Sequence, residues 1–227
     1  DLLRRCLNSM KAEAASGRVE VWVIDNASSD GSAGMVEREF AWVKLITGAE
    51  NIGFGAAVNE VARRAQAPWI APSNADVELT VGALDAMLAA AADLDVGVVA
   101  PRLVLEDGET QHSVHAFPTV RLALLFAIGA YRLPGVGDRL CVEGYWRADR
   151  RREVDWAHGA FLLVRREAFD SVGASTPCSG CTPRTSTCNG GWTGRDGRCG
   201  TSRRLESTTP SAPPRPRHSA TLASSAT

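Results

Sequence analysis

Val23-Ile24-Asp25-Asn26-Ala27-Ser28-Ser29-Asp30-Gly31-Ser32, residues 23–32, passes from a β-branched apolar run straight into carboxylate, amide and hydroxyl groups. With Val19-Glu20-Val21-Trp22 before it, the apolar part reads as a short strand buried on both faces. An open parallel sheet builds its ligand crevice beyond the carboxyl ends of its strands, so the polar block beginning at Asp25 stands where a ligand would bind. Ser32 is placed to cap a following helix, which would carry Val36 and Phe40 on one face at the i, i+4 spacing.

The same arrangement recurs downstream. Trp42 to Ile46 reads as a second strand, and the turn Gly53-Phe54-Gly55 opens a helix striped by Val58, Val61, Ala62 and Ala65. Trp69-Ile70-Ala71 reads as a third strand, followed by Ser73-Asn74-Ala75-Asp76. Thr80 is a candidate cap for a helix with Val81, Leu84, Leu88 and Ala91 on one side, and Val96 to Ala100 reads as a fourth strand. Strands alternating with helices of this length imply an α/β fold, a doubly wound and mostly parallel sheet in the Rossmann manner. Beyond Ala100 the pattern changes, with a hairpin expected from Leu103 to Val114 around Asp107-Gly108 and a long strand from Val154 to Val164 through Gly159. Leu122 to Ala130 is the longest apolar run, too short to span a bilayer, and reads as a buried core helix, with contact to a membrane as its other use.

Composition bounds the function. The 227 residues carry 25 Lys and Arg against 26 Asp and Glu, so overall charge gives no reason to expect a nucleic-acid partner. The balance is uneven: from Ala174 onward seven Arg face only Asp196 and Glu206, leaving that part about +5 and the rest about −6. No stretch has the pattern of a signal peptide, which implies a cytoplasmic protein. Four of six cysteines, Cys178, Cys181, Cys188 and Cys199, lie in the last part, so the body offers no disulfide framework. His112 and His115, three residues apart in an expected hairpin, read as exposed polar residues in preference to metal ligands, and Arg147 with Arg150-Arg151-Arg152 as a solvated loop that could meet a diphosphate or an anionic lipid.

A nucleotide-diphosphate sugar asks for polar groups around base and ribose, and for a carboxylate to hold a hard divalent cation across its phosphates. Asp25, Asp30 and Asp76 stand at or just past the ends of successive strands, where a parallel sheet would gather them. Asn and Asp are also ordinary turn formers, and it is the three blocks in register that favour the site. Gly53-Phe54-Gly55 lacks the third glycine of a dinucleotide fingerprint, which argues against a nicotinamide enzyme.

These blocks, with Asn59, with Asn74-Ala75-Asp76 in place of Asn-Pro-Asp, and with Trp156-Ala157-His158-Gly159-Ala160-Phe161, resemble the family 2 glycosyltransferases of the GT-A fold. The likeness is to the bacterial rhamnosyltransferase-like branch and spans residues 1–173. It implies that Asp25 faces the nucleobase, that Asp30 and Asn51 line the nucleotide pocket, and that Asp76 ligates Mg²⁺ or Mn²⁺. Asn26, Gly53, Phe54, Asn59 and Asn74 complete the implied substrate-binding set, with Gly159 in the acceptor-side wall. The chemistry that the resemblance implies is inverting transfer of a sugar, rhamnose from dTDP-rhamnose, to a glycan or lipid-linked acceptor, at the inner face of the membrane if a peripheral contact forms. A non-catalytic nucleotide-binding fragment and a sugar-phosphate nucleotidyltransferase stand as alternatives.

Two departures from the family follow. The chain opens at what resembles the family's first helix, so the strand before it is expected to be missing. After Gly173, residues 174–227 hold 31 Ser, Thr, Pro and Gly in 54 and are expected to be disordered. A reading frame moved back by one base permits Gly-Phe-Asp at 174–176 and an acidic Glu-Asp pair within 181–190, the family's landmarks, so this part is read as a frameshift that removes the catalytic base. Its irregular cysteine spacing makes a zinc module the weaker alternative.

Overall fold

The computed structural model describes residues 1–172, 204–208 and 220–226. The elements run α1 (Leu2–Ala15), β1 (Val19–Asp25), α2 (Ser32–Glu39), β2 (Lys44–Thr47), α3 (Phe54–Arg64), β3 (Trp69–Asn74), α4 (Ala83–Ala90) and β4 (Val96–Pro101). They continue with β5 (Val114–His115), α5 (Val120–Ala127), α6 (Val136–Arg139), β6 (Trp156–Ala157), β7 (Leu163–Arg165), α7 (Arg166–Ser171), β8 (Arg204–Thr208) and β9 (Ala220–Ala226).

Seven strands form one sheet in the order β2-β1-β9-β3-β7-β4-β8, and β5 pairs with β6 in a separate ribbon. All pairings in the main sheet are parallel except those of β7, which is antiparallel to β3 and β4. The side chains of β1 explain why helices cover both faces. Val19, Val21 and Val23 point into a core with Leu3, Cys6, Leu7 and Met10 of α1, Val36 of α2 and Leu84 and Met87 of α4. Trp22 and Ile24, on the other face of the pleat, pack with Ala57 and Val61 of α3. Farther along, Val58, Ala62, Ile70, Val164 and Phe169 continue that second layer.

Local expectations and observed elements differ in instructive places. Gly31, rather than Ser32, stands at the N-cap of α2, at φ 82° and with no side-chain cap bond, while Asp30 Oδ1 before it accepts from the Ser32 N–H at 2.9 Å. Helix α4 starts at Ala83 behind Gly82, whose left-handed φ of 80° turns the chain, and Val81 is left fully exposed. The hairpin around Gly108 shrinks to a single bridge, Val104 with Thr110. The long strand expected from 154 to 164 is broken into β6 and β7, because the backbone at Gly159-Ala160 turns and Asn74 N–H donates to Ala160 O at 2.8 Å. Leu122 to Ala130 is no core helix, since α5 has no buried residue.

Of the part from 174 onward, where disorder is expected, Arg204–Thr208 and Ala220–Ala226 are strands. Strand β9 pairs with β1 over seven residues and with β3 over six. Main-chain ladders form without regard to the side chains that composition counts. Cys178, Cys181, Cys188 and Cys199, and the landmarks of the shifted frame, lie outside the described residues.

Leu163, fully buried where β7 joins β3 to β4, tests the core. Leu163→Ala is expected to lower unfolding free energy by about 2–5 kcal/mol in urea titrations, against within about 0.5 kcal/mol for Val81→Ala.

Candidate functional site

Because β1, β2 and β3 run parallel, their carboxyl ends share one edge of the sheet. Asp25 is level with Ala226 of β9 and Asn74 with Ser225, so β1 and β3 end within one residue of each other. Two inter-strand spacings, about 10 Å, separate them.

The loop after β1 and the start of the turn before α3 border an open cleft of about 330 Å³ lined by Asn26, Ala27, Ser28, Ser29, Asp30 and Asn51. That volume lies at the lower end of small-ligand sites. Asp25 is buried and shapes the turn, its Oδ1 accepting from the Ser28 N–H at 3.2 Å while its carbonyl accepts from the Gly48 N–H at 2.8 Å. Ala27 adopts φ 62°, a left-handed conformation unusual for a residue with a Cβ and one that clusters at functional sites.

Asn26 is the decisive residue. It is 3 % exposed, and among the described residues neither its amide nitrogen nor its oxygen has a hydrogen-bond partner. The Ser28 hydroxyl beside it is buried and unpartnered as well. Each such group costs roughly 1–3 kcal/mol, a cost that a ligand with complementary donors and acceptors would remove. Hydrogen bonds from the Ser32 side chain and N–H hold the exposed Asp30 carboxyl below its ordinary range, so it stays ionised. Asn51 Oδ1 accepts from the Gly53 N–H at 2.9 Å, and Gly53, at φ 79°, turns the chain into α3.

Asn26, Asp30 and Asn51 therefore line the cleft together. Phe54 does not: it packs against the Val58, Ala62, Ile70 and Phe169 cluster, because its place at the start of α3 faces the sheet. Asn59 is half-buried within α3. Asn74, Asp76 and Gly159 form a second group at the end of β3, joined by the Asn74–Ala160 hydrogen bond and by the Ser73–Phe161 bridge. Helix α1 braces this loop: Arg5 pairs with Glu78 at 2.6 Å, Leu79 N–H donates to Ser9 Oγ at 2.8 Å, and Cys6 Sγ lies 3.9 Å from Asn74 O. Burial, then the Asp76 and Glu78 carboxylates, push the Cys6 thiol up to about 12, which makes it an inert packing residue.

Among the described residues no three His, Cys, Asp or Glu side chains converge as a cage for an ion. Nucleotide-bound Mg²⁺ or Mn²⁺ does not need one, since one or two carboxylates suffice when phosphates and water supply the remaining oxygens. The exposed Asp76 carboxylate fits that role.

His112 and His115, read from sequence as exposed polar residues, are half-buried and cluster beside Gly159 with His158, a third member that sequence reasoning missed. His115 Nε2 and His158 Nε2 are 3.0 Å apart, His115 stacks on Trp156, and His112 lies against His115 with ring centroids 4.4 Å apart. The pairing of β5 with β6 brings them together, so no local pattern announces the group.

The model of glycosyl transferase family 2 matches residues 1–173. The chain belongs to that family. The N-acetylglucosaminyl-diphospho-decaprenol L-rhamnosyltransferase of two Mycobacterium tuberculosis strains is 31% identical over 187 residues, covering 75% of this chain. The chain spans 59% of the length of these curated relatives. Among solved structures, GalNAc-T7 with UDP, GalNAc and Mn²⁺ superposes with TM-score 0.52 at 16% identity, covering 78% of this chain and 34% of the other, which shows the GT-A fold. The Pyrobaculum calidifontis mannosyltransferase PcManGT, in complex with GDP-Man and Mn²⁺, matches with TM-score 0.48 at 20% identity over 78% of this chain and 44% of its own.

Asn26→Leu should leave the melting temperature of the unliganded protein unchanged or raise it, since two orphaned groups are removed. Calorimetric binding of UDP or dTDP should weaken about tenfold or more, the worth of one good hydrogen bond.

Burial, then the neighbouring His112 and His158, lowers His115 from 6.5 to about 4. The unfolded chain therefore takes up this proton first as pH falls, and stability present above about pH 6.5 is lost toward pH 4. Melting curves across that window should show a shallower decline for His115→Gln than for the unaltered protein.

Proposed function

We propose that the chain carries the donor-binding half of an inverting glycosyltransferase that moves rhamnose from dTDP-rhamnose to the hydroxyl of a lipid-linked glycan. The buried, unpartnered Asn26 amide in the cleft at the carboxyl edge of the sheet is the observation that carries this reading. Kinship with the mycobacterial rhamnosyltransferase supports the choice of sugar and acceptor, and family membership favours transfer over the nucleotidyltransferase alternative.

In this reading Asn26, the Ser28 hydroxyl and Asn51 hold base and ribose, while the buried Asp25 fixes the turn that presents them. Asp76 would hold Mg²⁺ or Mn²⁺. The bound ion would supply charge neutralisation for the departing diphosphate. The Gly159-Ala160 segment, tied to Asn74, walls the acceptor side. There the acceptor hydroxyl attacks the anomeric carbon from the face opposite the diphosphate, and its proton passes to a carboxylate base.

No carboxylate in residues 1–172 is assigned to that base, so we further propose that this chain is a weak catalyst, slowed by about 10²–10⁴. The coding DNA across the codons for residues 172–174 tests the altered reading frame behind this deficit.

Calorimetry with dTDP and Mn²⁺ should show metal-dependent binding that Asp76→Asn reduces about tenfold or more. A folded sample with no metal-dependent heat would overturn the donor-site reading. Binding without any transfer of rhamnose, in either reading frame, would favour the non-catalytic alternative.

A further inference from the structure

Helix α5 breaks the rule that governs the rest of the fold. Its sequence, Val120-Arg121-Leu122-Ala123-Leu124-Leu125-Phe126-Ala127, is apolar at seven of eight positions, yet none of the eight is buried. Val120 is 79 % exposed, Leu124 60 %, and Ile128, just past its end, 77 %. Leu133 adds to the patch. A helix apolar all round is stable in water only when something covers it. Single exposed apolar residues such as Leu94 need no explanation, but a contiguous group does.

The helix is held firmly in this posture. Thr119 caps it, its Oγ1 accepting from the Leu122 N–H at 3.1 Å. Phe126 stacks on Tyr131 at 5.0 Å between ring centroids, and Tyr131 meets Tyr145 edge-on at 5.5 Å. Gly137 lets these parts close up, since a Cβ there would come within 2.6 Å of Tyr131 O and of the Tyr145 side chain.

Charge distinguishes the candidate occupants. From Gln111 to Gly137 the chain has no Asp or Glu, and its charged side chains are Arg121 and Arg132, both exposed near opposite ends of the patch. A second copy would bring the same two positive charges to the contact, whereas an anionic surface complements them. Tyrosines beside an exposed apolar helix with arginines at its margins make up the composition of an interfacial helix.

We propose that α5 and the turn after it, with Leu124, Phe126, Ile128 and Leu133 as apolar anchors and Arg121 and Arg132 as headgroup contacts, dock on an anionic lipid bilayer. The purpose of this docking rests on the transferase reading, because the segment is tied to the acceptor wall. Phe117 N–H donates to Asp155 Oδ2 at 2.9 Å, and β5, which precedes α5, pairs with β6, two residues before Gly159. A bilayer under α5 thus lies beside the edge at which a lipid-linked hydroxyl must arrive.

Co-sedimentation of the full chain with vesicles of phosphatidylglycerol and phosphatidylcholine, against pure phosphatidylcholine, tests the proposal. Partition should favour the anionic vesicles and fall as salt is raised. Each of Arg121→Gln and Arg132→Gln should weaken it about fivefold. The pair Leu124→Glu and Ile128→Glu should weaken it at least about tenfold, with the far-ultraviolet spectrum and dTDP binding unchanged. Unaltered protein that stays in the supernatant with anionic vesicles at low salt overturns the proposal. So does a Leu124→Glu variant that keeps its vesicle binding, or one that only splits a dimer in velocity sedimentation. In each overturning case intact dTDP binding leaves the donor-site reading standing, while loss of dTDP binding with vesicle binding retained does the reverse.

Discussion

The parallel main-chain ladder running through β2, β1, β9 and β3 is the constraint on which the rest depends. Parallel pairing forces the loops after β1, β2 and β3 onto one edge, and a near-equal register brings the ends of β1 and β3 level to within a residue. Were any of these strands reversed, its polar loop would emerge at the far end of the sheet. The site is thus a consequence of strand direction before it is a matter of side-chain chemistry.

Strand β7 extends that order to the other side of the crevice. Being antiparallel to β3, it delivers Gly159-Ala160 to the end of β3 instead of carrying it away, and the Asn74–Ala160 hydrogen bond joins the two. Arg165, at the end of β7, clamps the layer from behind: it hydrogen-bonds the carbonyls of Ala91, Asp93 and Val96 and lies over Trp69 at 4.4 Å. The ends of β1 and β3 and the Gly159-Ala160 turn are thus parts of one hydrogen-bonded frame.

Two departures from good packing among the described residues stand near that frame. Unpartnered Asn26 and Ser28 leave polar groups dry in the cleft, and α5 leaves apolar groups wet on the surface. A protein core would correct each by exchanging the residue type. The proposed ligand site and the proposed docking surface rest on these two departures.

Much of this was legible in the chain. The apolar run of β1 ending in Asp25, the glycine turn before α3 and the polar end of β3 announce their own roles, because strand burial, positive φ and strand ends each leave a signature a few residues long. What the tertiary structure alone decided were meetings between distant segments. The inward turn of Phe54, the joining of His115 to His158, the level ends of β1 and β3 and the exposure of α5 all depend on what packs alongside. The insertion of Ala220–Ala226 between β1 and β3 rests on backbone hydrogen bonds, which hydropathy does not record. Local patterns determine which elements form and which loops are polar; which loops and faces come to lie together is settled by strand order and direction, and these are properties of the assembled sheet.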